Sequence, residues 1–86
     1  ARGLAIAFSP GPFYAVADAA TGRLALHDGT TGLVLARHVP ADKKDLWAAG
    51  VAFDAAGRLL VTDARHHRVA RLERTAVRLL RTRAAP

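Results

Sequence analysis

Two carboxylate and guanidinium pairs recur at one spacing in this chain, Asp18 with Arg23 and Asp63 with Arg68. A carboxylate placed before a tight turn accepts backbone N–H bonds and meets an arginine beyond it in a charge-assisted pairing, which fixes a turn rather than activating a substrate. His66 and His67 are the cluster that could hold a metal, since imidazole is a common ligand for zinc or iron. Adjacent residues on a strand face opposite ways, however, and no HxH, HxxxH or HExxH spacing accompanies them, while His27 and His38 lie far off in sequence. They read as exposed loop residues, with no resident metal or cofactor expected. The chain also lacks a Gly-rich phosphate loop, a nucleophile elbow and any cysteine nucleophile, so no catalytic set is expected.

The elements that position these residues form a repeat. A shift of 45 residues, without a gap, places Ala5-Ile6-Ala7-Phe8-Ser9 on Gly50-Val51-Ala52-Phe53-Asp54, Val16-Ala17-Asp18-Ala19 on Val61-Thr62-Asp63-Ala64, and Arg23-Leu24-Ala25 on Arg68-Val69-Ala70. Phe, Asp and Arg keep one register in both copies, and a period of 20–50 residues is the mark of solenoids and propellers. Short apolar runs separated by Gly, Pro, Asp and Thr argue for strands. The first unit predicts strands near 4–8, 13–17, 23–27 and 33–38, the second near 50–53, 58–62, 68–72 and 76–82. From Val69 to Arg83 an apolar stripe is also compatible with a helix, but the repeat favours strands. Four short antiparallel strands per 45 residues match a propeller blade. The expectation is an all-β chain of two consecutive four-stranded antiparallel blades: 1–40 a blade, 41–49 the connection, 50–86 a second blade that need not be complete. A β-sandwich is the main rival.

Two blades do not close a ring of about four to eight, so a longer propeller or association of copies is expected. Ala5, Ala7, Phe8, Val16, Leu24, Val51, Phe53, Leu60, Val61 and Val69 are expected between the sheets, with Phe8 and Phe53 in like environments.

Composition bounds the rest. A hydrophobic fraction of 51% supports a packed core. Zero cysteines remove disulfides and thiolate metal sites, and no apolar run approaches the roughly 20 residues that span a bilayer. The opening Ala1-Arg2-Gly3-Leu4 has neither Met nor a signal-like leader and reads as an internal start. Absence of cysteine and leader favours an intracellular location. Net charge is +6, with Arg supplying 11 of the 13 basic residues. That preference for Arg weakens an acidic-ligand reading, and solvated surface Arg is the favoured explanation of the charge.

The second unit resembles an NHL repeat through Gly50-Val51-Ala52-Phe53-Asp54, Gly57-Arg58-Leu59-Leu60-Val61-Thr62-Asp63 and His67-Arg68-Val69. The first resembles WD40-type blades as well, through Ala7-Phe8-Ser9-Pro10 and Leu26-His27-Asp28-Gly29-Thr30-Thr31-Gly32. Both resemblances imply a propeller, and the NHL resemblance implies that the Asp and Arg pairs belong to the repeat framework.

In an antiparallel blade the turn between strands two and three and the connection to the next blade emerge at one end. Segments 18–22, 63–67 and 39–49 therefore share a face displaying Lys43, Lys44, Trp47, Arg65, His66 and His67, partly offset by Asp42 and Asp45. Trp and Arg are enriched in binding hot spots, so a non-catalytic protein-binding scaffold is the expected function, with Trp47 packed between blades as the competing role. RNA binding through this basic face is the alternative, with bases stacking on an aromatic ring while Lys and Arg neutralise phosphates. A second alternative, part of a metal-dependent propeller hydrolase or lyase with ligands on other blades, follows only from the propeller resemblance.

Overall fold

The structure is a computed structural model of the chain and describes residues 4–72. β1 (Leu4–Phe8), β2 (Phe13–Asp18), β3 (Arg23–Asp28) and β4 (Val34–His38) form one antiparallel sheet in sequence order. β5 (Ala48–Phe53), β6 (Leu59–Asp63) and β7 (Arg68–Leu72) form a second. The fold is all-β, as two blade-like sheets. Residues 69–72 are strand and not helix, whereas the strand expected at 76–82 lies outside the described residues. No helix among the described residues is long and apolar enough to cross a membrane.

Local chemistry explains the turns. Ser9 Oγ accepts from the Gly11 and Phe13 amides at 3.1 and 3.2 Å, and 45 residues on Asp54 Oδ1 accepts from Ala56 and Arg58 at 3.0 and 2.9 Å. A hydroxyl and a carboxylate thus close the same hairpin in the two copies. Asp54 also meets Arg58 Nε at 2.8 Å, and the Arg58 N–H is the main influence holding its carboxyl below the ordinary range. The second hairpin in each sheet needs a left-handed residue, supplied by Gly22 at φ 73° and, at the matching position, by His67 at φ 53°.

Each sheet has a front, carrying Phe8 or Phe53, and a back. Strand alternation puts Ala5, Ala7, Ala15, Ala17, Leu24 and Leu26 on the back of the first sheet. It puts Val51, Phe53, Leu59, Val61, Ala70 and Leu72 on the front of the second. These two surfaces make the core, with β5 lying against β1 and β2, and Leu46 from the connection fully buried with them. Small residues on one surface receive large ones on the other, which lets the sheets approach closely.

Front-to-back stacking corrects the expected core. Ala5, Ala7, Leu24, Val51, Phe53 and Val61 lie on the facing surfaces, but Phe8, Val16, Leu60 and Val69 lie on the two outward ones. Phe8 is 75% exposed and Val69 66% exposed. The cause is translational. Copies place equivalent residues on the same face of their own sheet, so in Phe8/Phe53, Val16/Val61 and Leu24/Val69 only one member can lie between two stacked sheets. The expectation of like environments for Phe8 and Phe53 is overturned: Phe8 is exposed while Phe53 packs against the core, because only the front that carries Phe53 has a sheet stacked on it.

Candidate binding surface

The turns 18–22 and 63–67 and the connection 39–49 meet at one end of the molecule, around Trp47. Its indole N–H donates to Ala19 O at 2.9 Å, its amide donates to Asp63 Oδ1 at 3.1 Å, and its carbonyl accepts from Ala64 N at 3.0 Å. Trp47 is only partly exposed and bridges both sheets. A Cβ added to Gly22 would overlap the ring, 2.7 Å from Cε3 and 2.8 Å from Cγ. Arg65 covers the indole with its guanidinium carbon 4.5 Å from a ring centroid, while its Nη1 donates to Asp42 O at 2.7 Å. This cation–π contact holds the 63–67 turn against the connection.

Asp63 anchors the arrangement from beneath. Its side chain is fully buried and receives the Trp47 amide, Arg68 Nε at 3.2 Å and His66 Nδ1 at 2.7 Å. Burial pushes its pKa up, but the Trp47 N–H, then His66 and Arg68, outweigh that and hold the carboxyl below its ordinary range. His66 Nε2 also lies 3.1 Å from Lys43 O, so this ring ties the turn to the connection.

The first copy differs. Asp18 Oδ1 accepts from Ala20 N at 3.0 Å, and no ion pair to Arg23 forms. The Asp18 side chain is partly exposed, whereas that of Asp63 is fully buried.

Of the residues expected on this face, Lys43, Lys44, Arg65, His66 and His67 are exposed. Asp42 and Asp45 are engaged in the connection itself. Asp45 Oδ2 accepts from Ala41 and Asp42 amides at 2.6 and 3.1 Å, and Asp42 Oδ1 from Lys44 N at 3.1 Å. The Ala41 N–H leads in holding the Asp45 carboxyl low. Among the described residues no three His, Asp or Glu side chains converge as metal ligands.

Sequence reasoning overlooked Leu46 and His38, both buried, with His38 Nε2 2.8 Å from Leu46 O. It also overlooked Gly22 as the floor beneath Trp47. The Gly22/His67 match in the repeat register carried that signal, because a position shared with glycine marks a left-handed turn.

No curated protein and no solved structure matches the chain. Residues 46–72 match the family model of the NHL repeat, beginning at the buried Leu46 and ending with β7. Together with the antiparallel sheet they form, that match identifies residues 46–72 as an NHL repeat, a blade of the β-propeller type.

Proposed function

We propose that the chain is a non-catalytic propeller scaffold, with blades at 1–40 and 50–86 and a connection at 41–49, that binds a protein partner through the loop end around the Arg65–Trp47 stack. NHL repeats generally serve as protein-interaction modules, and this end presents Lys43, Lys44, Arg65 and His67 to solvent on a rigid base. The observation that carries the reading is that base. Trp47, Asp63 and Gly22 lock three loops together by hydrogen bonds and close packing, so contact residues are held in place before a partner arrives, which lowers the ordering cost of binding.

The charge balance favours protein over RNA. Lys43, Lys44 and Arg65 stand against Asp42 and Asp45, three cations against two carboxylates, and Arg65 occupies a face of the indole on which a base would stack. The test is a comparison of the native chain with a Lys43→Glu/Lys44→Glu variant in cross-linking to its partner. Capture lost at unchanged melting temperature supports the reading. Capture unaffected by the charge reversal refutes it, and single-stranded RNA binding that falls steeply with salt would replace it with the RNA reading.

A further inference from the structure

The front of the first sheet and the back of the second are left uncovered among the described residues, and the repeat register describes them both. Inside the molecule, Val51, Phe53, Leu59 and Val61 of one front press on Ala5, Ala7, Ala15 and Ala17 of the other sheet's back. Moved by 45 residues, the uncovered front presents Ile6, Phe8, Tyr14 and Val16, and the uncovered back presents Gly50, Ala52, Leu60 and Thr62. The same division of large against mostly small residues is repeated on surfaces that do not touch within one chain. Ile6 is 55% exposed and Phe8 75%, and beside this apolar patch runs a mixed groove lined by Val16, Ala25 and Val34 together with Asp18, Arg23 and Arg37.

The two surfaces also change in step at one end. On the covered front, Phe53, Leu59 and Leu72 meet a back carrying Phe13 and Leu26, apolar on apolar. On the uncovered front the equivalents are Phe8, Tyr14 and His27, a row with ring centroids 5.7 and 4.8 Å apart. On the uncovered back the equivalents of Phe13 and Leu26 are Arg58 and Arg71. Guanidinium groups stack on aromatic faces, so where one surface becomes aromatic, the other becomes the type that covers aromatics.

We propose that a second copy of this chain docks head to tail, the back of its second sheet on the front of the first sheet here, so that copies continue the stack and close into a ring. Each copy adds two blades, and rings of about four to eight blades close. The contact is heterologous, joining two different surfaces, and it does not use Lys43, Lys44, Trp47 or Arg65, so it stands or falls separately from partner binding there.

The test uses light scattering and circular dichroism on the native chain, on Phe8→Glu and on Val69→Glu. Both positions point outward, so each variant should keep its β-sheet spectrum. The native chain is expected at a multiple of 9.1 kDa, each variant as a monomer, and an equimolar mixture of the two as a one-to-one pair, because each retains the surface the other has lost. A native chain that stays at its single-chain mass at high micromolar concentration overturns the proposal, as do variants that associate like the native chain or a mixture that remains monomeric.

Discussion

Asp63 and the left-handed turn position show how single residues set the loop end. Because the Asp63 carboxyl is held low by the Trp47 amide, His66 and Arg68 against the penalty of burial, its charged form contributes stability that is present at neutral pH. That contribution is lost as pH falls below about 4 and through the lowered folded value. Asp63→Asn should cost about 1–2 kcal/mol at pH 7 and flatten the acid side of the stability profile, measured by urea unfolding across pH. An acid limb as steep as that of the native chain would place the titration elsewhere. Glycine at 22 and histidine at 67 share a backbone conformation but not a neighbourhood. Gly22→Ala should be strongly destabilising, by about 3 kcal/mol or more, since the new methyl meets the indole as well as an unfavourable φ. His67→Gly should gain about 0.5 kcal/mol in thermal unfolding by relieving the left-handed strain, net of the added chain entropy.

Strands and turns follow from local chemistry. Short apolar runs between Ser9-Pro10-Gly11-Pro12, Asp28-Gly29-Thr30-Thr31-Gly32 and Asp54-Ala55-Ala56-Gly57 marked the strands to within about two residues, because those turns are closed by side-chain oxygens within them. Which strand face is covered could not be read locally. Val16 and Val61 are the same residue type at the same repeat position, yet Val61 is fully buried and Val16 only half-buried. Val61→Ala should therefore cost about 2 kcal/mol and Val16→Ala under about 1 kcal/mol in dilute solution. Equal costs at low concentration would mean that the front of the first sheet is already covered.

For the whole molecule, two sheets of this size leave an extensive apolar front exposed, and large exposed patches mark interaction surfaces. If copies cover one another, folding and association are linked, and the melting temperature of the native chain should rise with concentration while that of Phe8→Glu stays constant, followed by calorimetry over a dilution series. A melting temperature independent of concentration in both would deny the linkage. Under the same conditions the difference between Val16→Ala and Val61→Ala should shrink as concentration rises.

Turn chemistry and alternation are properties of neighbouring residues, and the period emerges when the sequence is laid against itself. From the sequence alone they determined an all-β repeat, the seven described strands and the joining of three loops at one end. What the tertiary structure decided is which of two equivalent faces is inside, why Trp47 sits over Gly22, and why Asp63 is buried with its partners. These depend on how one sheet stacks on the next, and identical local patterns in the two copies carry no information about which copy has a neighbour on its front.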